Sequence, residues 1–571
     1  MRYTLLFVLM IGLNFMFVLG QNHSSVDFVK PMKIKPVVSG SFGELRSNHF
    51  HSGIDLTTNG KTGYRIYASD KGSVSRIKVS AGGYGKALYI DHPSGHTTVY
   101  AHLERYSNRI DSIVTARQYK QKSFEIELFF KADELPVERG EVVAYSGNSG
   151  SSGGPHLHYE IRNKANQKPL EPMAFRDDIE DDVKPQIQGL KLYPISEGAS
   201  IMGANKSKYV PVVHYDGVFH PKGQKVFKAN GEIGIGVQVL DYLSDSWRKC
   251  GVTSIELFAN DTLVYHSYID AFSFAETRYL NAHIDYDEKR RTGKVIQRSY
   301  VLPNNRLSIY KKKNTYSVKV NEGEQKLMKY VIKDFSGNTS IMTFTLQGEA
   351  AKTYKSDYTA EVKRLQYAKS YTMDTLGLKL EISAKTFYED IDLLVHRDDS
   401  IKETLSPVYT IGDEHIPLHK FMKIGIAVPD SLLDRKDKLL LLGYTGSGKT
   451  YSRGGSFDNG YVRMSTRNFG RLSLGIDTIA PKIKMRKPPA AYNYASRQSI
   501  EVTISDNLSG IAKYECFIDG KWVLFEYDAK RSRLIGQFKQ MPQILKGEHS
   551  LLVYVRDNKN NVSELEIDFR R

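Results

Sequence analysis

Cysteine is nearly absent from this sequence. Its 571 residues include only two, Cys250 and Cys516, which excludes a framework of several disulfides and any Cys-x-x-Cys metal or redox pair. Whether these two thiols pair is left open. Long apolar runs are also lacking after the first 20 residues, so a polytopic membrane protein is excluded. Stability must therefore come from packed hydrophobic cores.

Negative charge is in short supply. The chain has 80 Lys and Arg against 64 Asp and Glu, a formal net charge of +16. Such a balance favours polyanionic surroundings such as nucleic acid, anionic lipid or acidic cell-wall polymers. No run of Lys and Arg with interleaved aromatic residues is found, so no nucleic-acid interface is expected. The surplus is diffuse, and a solvated surface explains it as well as a binding role does.

The N-terminus differs from the rest of the chain. Arg2 supplies a positive charge, Leu5 to Leu19 is almost entirely apolar, and Gly20 borders polar sequence. This order is typical of a secretory signal peptide, which we predict at residues 1–20. An uncleaved anchor is the alternative, because the run approaches the roughly 18 residues that a spanning helix needs. We therefore expect an exported protein that is periplasmic, in the cell envelope or extracellular.

Short strands with alternating apolar and polar residues dominate, so the predicted fold class is mainly β. The length predicts about three or four domains. We expect an antiparallel-β domain first and β-sandwich domains of immunoglobulin-like type after it. The predicted boundaries are 21–178 for the first domain (core 40–175, insertion 104–137), 185–350 and 479–571 for the immunoglobulin-like domains, and 351–478 for a β-rich module of unknown type.

An internal repeat supports the two immunoglobulin-like domains. Val239 to Ser244 resembles Ile504 to Ser509, and Tyr330 to Asn338 resembles Tyr554 to Asn561. Short strands with Asn, Asp and Gly turns are typical of β-sandwiches. We expect these domains to provide spacing or adhesion, with possible contacts to the cell envelope.

Histidine is concentrated early in the chain. Seven of the 16 histidines lie between residues 49 and 158. His156 and His158 share one face of a predicted strand. His51 and Asp55 would lie about 13 Å apart on an ideal strand, so one metal can be reached by both only if the chain bends at Gly53. Two ligands from this segment and one from the His-x-His strand would leave the fourth zinc position for water, as in a catalytic site.

Three motifs resemble those of one known family. They are H-x-x-x-D at His51 to Asp55, Y-A-H-L at Tyr100 to Leu103, and G-x-x-G-x-x-x-G-P-H-L-H-x-E at Gly147 to Glu160. Over roughly residues 40–175 the chain is similar to lysostaphin-like (LytM-type) zinc endopeptidases, which cleave peptide stems or bridges of bacterial peptidoglycan. The resemblance implies an antiparallel-β metallopeptidase domain with Zn²⁺ as its cofactor.

The resemblance also implies residue roles. His51, Asp55 and His158 would bind zinc, while His156 and His102 would be catalytic without binding it. Zinc can lower the pKa of a bound water to about 7. We assign His156 as the general base and His102 as the stabiliser of the oxyanion.

One segment departs from the short family form. About 30 residues, Glu104 to Val137, follow the second motif where simpler members have a short connection. The apolar run Phe124 to Phe130 within it predicts a hairpin lid beside the cleft.

Other signals are set aside. Gly443 to Thr450 fits the phosphate-loop pattern, but a turn-rich stretch follows where the mechanism needs a helix, so we predict a hairpin turn and no nucleotide partner. His49 shares the strand parity of His51 and could contact substrate. His92 and His96 bracket a tight turn and are expected to be solvated.

Two functions remain in competition. The first is a secreted zinc endopeptidase that acts on peptidoglycan during cell-wall remodelling or degradation. The second is a non-catalytic member of the same family that binds wall or activates another hydrolase. Non-catalytic members typically lose ligands, and this chain keeps the full set, which favours the enzyme.

Overall fold

The computed structural model describes residues 26–571 except 177, 245, 313–316, 352–361 and 402–403. The predicted signal peptide at residues 1–20 lies outside this range. Strands account for 47% of the structure and helices for 9%, which confirms the mainly β prediction. In the described ranges, no helix is both long and apolar enough to cross a membrane.

The N-terminal domain, residues 26–176, consists mostly of short strands. Its elements are β1 Val38–Gly40, β2 Ile54–Thr57, β3 Arg65–Tyr67, β4 Gly72–Val79, β5 Lys86–Asp91, β6 His96–Ala101, β7 Arg105–Tyr106, α1 Asn108–Gln121, β8 Ile126–Phe129, β9 Pro136–Val137, β10 Val142–Tyr145, β11 His156–Asn163 and β12 Pro169–Leu170. The main sheet has the order β1-β2-β11-β6-β5-β4-β8, and β3-β10-β7 form a smaller sheet. β11 is buried over its six central residues, as expected for a central strand covered on both faces.

The insertion does not form the predicted hairpin lid. Residues 108–121 form α1, and β8 and β9 each pair with β4 at the edge of the main sheet. Ile110, Val114, Phe124, Ile126 and Val137 are buried in the core of the domain. The hairpin prediction was wrong. The apolar side chains pack into the core of the domain, and β8 and β9 extend the existing sheet.

The first β module, residues 186–348, follows a short linker. Its elements are β13 Gln186–Pro194, β14 Ser200–Ile201, β15 Lys208–Tyr215, β16 Val218–Pro221, β17 Val226–Tyr242, β18 Lys249–Cys250, β19 Ser254–Ala259, β20 Thr262–Tyr268, α2 Leu280–His283, α3 Tyr286–Thr292, β21 Gln297–Arg298, β22 Tyr310–Lys312, β23 Val318–Val320, β24 Gln325–Lys333 and β25 Thr339–Gly348. β17 is long and pairs with β13 and with β25. Alternate residues of β24 and β25 are buried, and their side chains supply much of the core.

The central module, residues 362–477, is built from two sheets. Its strands are β26 Val362–Leu365, β27 Tyr371–Thr375, β28 Leu378–Ile382, β29 Ile391–Asp398, β30 Val408–Ile411, β31 Met422–Ala427, β32 Leu439–Tyr444, β33 Thr450–Gly454, β34 Ser456–Asp458, β35 Tyr461–Thr466 and β36 Gly470–Ile476. The sheet orders are β26-β29-β30-β36-β32-β33 and β27-β28-β31-β35-β34. Leu378, Leu380, Leu439 and Leu441 are among the side chains that form a shared core.

The C-terminal module, residues 482–570, is smaller. Its strands are β37 Lys482–Met485, β38 Ser499–Ser505, β39 Ile511–Ile518, β40 Lys521–Trp522, β41 Glu526–Asp528, β42 Arg533–Gln537, β43 Glu548–Asp557 and β44 Val562–Arg570. They form the sheets β37-β38-β42-β41 and β40-β39-β43-β44. Cys516 is buried in this core, and Cys250 lies at the edge of the first β module; both are free thiols.

The C-terminal module folds back onto the N-terminal domain. Leu524 is buried in the N-terminal core, and the Trp522 ring meets the Tyr119 ring of α1 edge-on at 5.4 Å. The hydroxyl of Tyr119 donates to the carbonyl of Gln540 at 2.7 Å. The C-terminal module therefore packs against the helix formed by the insertion.

Candidate metal centre

The predicted ligands meet at β2, at β11 and in the segment just before β2. β11 lies between β2 and β6, and its register places His158 directly opposite Asp55 on one side and Ala101 on the other. Side chains directly opposite on antiparallel strands have Cβ atoms about 5 Å apart. The pairing of β2 with β11 therefore brings Asp55 and His158 together although 103 residues separate them in sequence.

Gly53 sits at the bend that brings His51 to the same place. It lies immediately before β2, and a Cβ at this position would come within 2.2 Å of the carbonyl oxygen of Tyr159. Only glycine can approach the neighbouring strand so closely. The chain then turns so that the Nε2 atom of His51 lies 3.1 Å from Oδ1 of Asp55.

Three acceptor atoms converge at the centre. Nδ1 of His158 is 2.9 Å from Oδ1 of Asp55 and 3.0 Å from Nε2 of His51. All three side chains are buried, and their ligating atoms lie within 4.8 Å of one another. Burial would raise the pKa of Asp55, but the neighbouring histidines hold it well below its usual value. The group therefore presents a carboxylate and two imidazoles to a common point.

Hydrogen bonds on the far side of each ring select the nitrogen that faces this point. Nδ1 of His51 donates to the carbonyl oxygen of Ser41 at 2.8 Å, so Nε2 carries the lone pair. Nε2 of His158 lies 2.8 Å from Oε1 of Glu160, so Nδ1 faces the cluster. Such outer hydrogen bonds fix the tautomer and orientation of metal-binding histidines. The donor set suits a divalent metal that accepts nitrogen and oxygen ligands.

Glu160 is a functional residue that the sequence reasoning did not assign. Its side chain is fully buried, and Oε2 accepts from Nε of Arg162 at 2.6 Å. Ser52 and Tyr84 also donate to its Oε1. Burial opposes ionisation, but the charge of Arg162 and the bond to His158 lower the pKa of Glu160 strongly. Its spacing of two residues from His158 on one strand was the signal that could have identified it.

Arg46 contacts the outer oxygen of Asp55. Its Nη2 donates to Oδ2 of Asp55 at 3.1 Å and to Oε2 of Glu44 at 2.9 Å. Oδ2 is thereby occupied, which leaves Oδ1 directed at the two histidines. Arg46 also places a positive charge beside the carboxylate of Asp55. This contact was not predicted from the sequence.

His156 and His102 lie next to the cluster. Their ring centroids are 4.8 Å apart, and Nε2 of His156 is 3.4 Å from Oδ1 of Asp55. Nδ1 of His156 donates to the carbonyl oxygen of Gly154 at 2.8 Å. Nε2 of His156 therefore carries the lone pair in the neutral ring.

His102 is held in an unusual backbone conformation. Its φ is 58°, a region that residues other than glycine seldom occupy and that often marks functional sites. Its Nδ1 donates to the carbonyl oxygen of Ser149 at 2.9 Å. Burial first, and then the neighbouring His158 and His156, lower the pKa of His102 to about 3. The neutral ring thus offers an acceptor at Nε2, whereas the predicted donor role needs a proton there.

The glycine-rich loop of residues 147–155 borders these histidines and contacts the C-terminal module. Nζ of Lys530 donates to the carbonyl oxygens of Asn148 at 2.6 Å and of Ser152 at 2.9 Å. Oγ of Ser149 donates to the carbonyl oxygen of Leu103 at 2.7 Å. The predicted cleft wall is therefore anchored both within its own domain and by the last module of the chain.

The remaining histidines of the N-terminal domain lie away from the centre. His49 is exposed, with Nδ1 bonded to the carbonyl of Ser47. His92 is buried, contrary to the prediction that it is solvated, because its Nδ1 meets the carbonyl of Lys71 and its Nε2 meets Oγ1 of Thr98. His96 is half-buried and lies edge-on to Phe28.

The phosphate-loop pattern forms a hairpin turn, as predicted. β32 ends at Tyr444 and β33 begins at Thr450, and the two strands pair antiparallel. No helix follows within this hairpin to direct backbone amides at a phosphate. The segment lacks the structure on which that pattern depends.

Comparisons with known proteins find similar sequences for parts of the chain. Residues 49–119 match the family model described as Peptidase family M23, and residues 362–477 match that of a Zu5-like domain. The DD-carboxypeptidase/endopeptidase Mpg of Neisseria meningitidis serogroup B is 34% identical over 130 residues, 23% of this chain and 24% of that protein. A protein named as an uncharacterized metalloprotease of Haemophilus influenzae is 31% identical over 126 residues, 22% of this chain and 21% of that protein.

A similar solved structure is a zinc-containing peptidase from Vibrio cholerae, at 24% identity and a TM-score of 0.20. It covers 27% of this chain and 41% of that chain. The similarity to the curated relatives spans less than a quarter of each protein's length. The two family models match separate parts of the chain, one in the N-terminal domain and one in the central module.

Proposed function

We propose that the protein is an exported zinc endopeptidase of bacterial peptidoglycan, because residues 49–119 match the model of peptidase family M23 and a curated relative is a DD-carboxypeptidase/endopeptidase. Its substrate would be a peptide bond in the stems or bridges of the wall. The support for this substrate is the curated relative named as a DD-carboxypeptidase/endopeptidase. Export is proposed from the signal-peptide pattern of residues 1–20.

The observation that carries the proposal is the convergence of Nε2 of His51, Nδ1 of His158 and Oδ1 of Asp55. Three such atoms at about 3 Å need a proton or a metal ion between them, since lone pairs repel at that distance. Two imidazoles and one carboxylate are a donor set that zinc accepts, and three protein ligands are the number typical of catalytic sites. Zinc bound there would acidify a water molecule and polarise the scissile carbonyl.

His156 is the proposed general base. Its Nδ1 is committed to the carbonyl of Gly154, so Nε2 can take a proton from the attacking water and later deliver it to the leaving amine. His102 offers an acceptor in the same place, with Nδ1 committed to the carbonyl of Ser149. We propose that His102 orients the water or substrate through Nε2 while it remains neutral.

Digestion of purified peptidoglycan by the mature full-length protein tests the proposal. We expect released fragments by mass spectrometry, loss of activity with a chelator, and recovery on addition of zinc. A His158→Ala variant should lose both zinc and activity, whereas His49→Ala, a matched change of an exposed histidine outside the cluster, should keep both. Cleavage that persists in the presence of chelator would contradict the zinc mechanism.

The same experiment separates the enzyme from a non-catalytic member of the family. Stoichiometric zinc without cleavage of any wall type would support a binding or activating role. Deletion of the insertion is not a suitable control, because α1 and β8 supply part of the core. Variants of exposed residues on the C-terminal module are better, since they leave the domain core intact.

A further inference from the structure

A second cluster of possible ligands lies where the N-terminal domain meets the first β module. Asp181 is in the linker before β13, Asp241 is at the end of β17, and Asp334 directly follows β24. One carboxylate oxygen from each lies within 4.8 Å of the others. We call this group the acidic triad. Three carboxylates this close repel one another unless protons or a cation intervene.

Asp241 has one carboxylate oxygen, Oδ1, that is not compensated. Its residue is only 3% exposed, and its Oδ1 is buried with no hydrogen-bond partner. Burial first, and then the charges of Asp334 and Asp181, raise the pKa of Asp241 to about 8, and only a backbone hydrogen bond from Tyr242 opposes them. A buried carboxylate oxygen without a partner costs several kcal/mol in its charged form. A buried side chain with such an atom, close to two further carboxylates, is expected where a cation binds.

The other two members retain free acceptor capacity. Oδ1 of Asp334 accepts from the backbone N–H of Asn338, and its Oδ2 accepts from Nδ2 of the same residue. Oδ1 of Asp181 accepts from the N–H of Val183 and from Oγ of Ser244. Each carboxylate oxygen has two lone pairs. These bonds therefore orient the carboxylates without exhausting them.

We propose that the acidic triad binds one Ca²⁺ ion, which fixes the linker to the end of the first β module. Its donors are all oxygen, which suits hard cations and gives zinc none of the nitrogen or sulfur ligands it favours. Ca²⁺ accepts six to eight oxygens in flexible geometry, whereas Mg²⁺ demands a near-octahedral shell and dehydrates reluctantly. Three carboxylates from separate segments fit the more permissive ion.

The position of the triad gives the ion a structural role. Leu243 and Cys250, on either side of the turn after β17, are buried with the core of the N-terminal domain. The backbone N–H of Gly251 donates to Oγ of Ser41 at 2.9 Å, and the carbonyl of Ser41 orients His51. Bound Ca²⁺ would hold this end of the module in the arrangement that contacts the N-terminal domain.

A similar triad with different surroundings lies where the central module meets the C-terminal module. Asp477, Asp506 and Asp557 also lie within 4.8 Å of one another, and backbone N–H groups of Ser509, Gly510 and Asn561 are among their donors. The ammonium of Lys559 also acts on this site: burial lowers its pKa, and the charges of Asp477, Asp437 and Asp557 oppose that effect. The first triad has no such ammonium among the charges acting on Asp241, so the proposal concerns it alone.

Calorimetric titration of the mature, zinc-loaded protein with CaCl₂ tests the proposal. We expect binding with a dissociation constant of about 0.1 to 1 mM, the range of extracellular calcium modules, and a rise in melting temperature on addition of Ca²⁺. Asp241→Asn should remove one binding event and the rise in melting temperature. Asp261→Asn changes an exposed aspartate at a turn of the same module and should leave both unchanged.

Folding and site identity are controlled separately. Without Ca²⁺, Asp241→Asn should melt at or above the wild-type temperature, because the amide cannot ionise beside Asp181 and Asp334. If it fails to fold, Asp181→Asn in the linker serves in its place. His158→Ala should keep the Ca²⁺ response, which separates the triad from the zinc centre. The same number of bound Ca²⁺ ions in wild type and Asp241→Asn, or no response up to about 10 mM, would overturn the proposal.

Discussion

Two of the three clusters of possible ligands among the described residues, the metal centre and the acidic triad, differ in their donor atoms and in the hydrogen bonds that hold those atoms. The metal centre combines two imidazoles with one carboxylate, and a hydrogen bond on the outer side of each ring selects the nitrogen that faces inward. The acidic triad offers oxygen only, and one of its oxygens has no partner. This difference indicates that the type of ligand atom selects the ion. The hydrogen-bond partners of the ligand residues determine whether the cluster is stable without an ion.

The strongest test of the metal centre separates binding from chemistry. His156→Ala should lower the rate of wall hydrolysis by about 10²- to 10⁴-fold, the usual contribution of a general base. Its zinc content should stay at the wild-type level, because Nδ1 of His156 is bonded to Gly154 and the ring is not among the three converging ligands. Zinc content by elemental analysis beside initial rates checks this. Zinc lost together with activity would make His156 a ligand.

Glu171 tests whether a buried carboxyl group without a charged partner measurably lowers the stability of the fold. Glu171 is 6% exposed, and burial raises its pKa from 4.5 to about 7 against one backbone hydrogen bond from Met173. A raised carboxyl pKa contributes stability below the unfolded value, near pH 4.5, and that contribution is lost as pH rises through about 7. The loss is at most about 3 kcal/mol.

Melting temperatures between pH 5 and 8 check this expectation. Wild type should lose stability over that window, and Glu171→Gln should lose less, because the amide keeps the acceptor for Met173 and cannot ionise. Glu138→Gln, a change of an exposed glutamate, should follow wild type. Parallel curves for wild type and Glu171→Gln would show that the buried acid is compensated in solution.

Glu160 tests the opposite case, a buried acid with full compensation. Glu160→Gln leaves one carbonyl oxygen to serve both His158 and Arg162, where the carboxylate serves each with its own oxygen. Changes of such outer partners cost about 10- to 100-fold in metal affinity or activity. Zinc competition with a chromophoric chelator measures the affinity. An unchanged affinity would mean that Glu160 stabilises the fold without tuning the centre.

The parts of the metal centre that could be predicted from sequence are those that depend on residues close together in the chain. His156 and His158 share strand parity, and Gly53 marks a bend between His51 and Asp55. Glu160 could have been added by the same parity. The carbonyl of Ser41 could not, because a backbone partner leaves no trace in residue type.

Long-range packing limited the other predictions. The turn at His92 looked solvated, but its ring is drawn inward by the Lys71 carbonyl and Thr98. The insertion forms α1 in place of a hairpin because Ile110 and Val114 pack into the core of the N-terminal domain. Asp181, Asp241 and Asp334 come from three segments far apart in sequence, so only the tertiary structure shows that they meet.

We expect the smallest effect at the contact between the loop of residues 147–155 and the C-terminal module. Lys530→Ala removes the ammonium that holds the carbonyls of Asn148 and Ser152, and the loop that borders His156 gains freedom. A hydrogen-bond loss of about 1 kcal/mol corresponds to about a fivefold fall in kcat/KM. Zinc content should not change, and Lys521→Ala, an exposed lysine of the same module, should have wild-type kinetics. A rise in kcat/KM would instead mean that the module restrains access to the centre, so the sign of this change decides whether the contact supports catalysis or inhibits it.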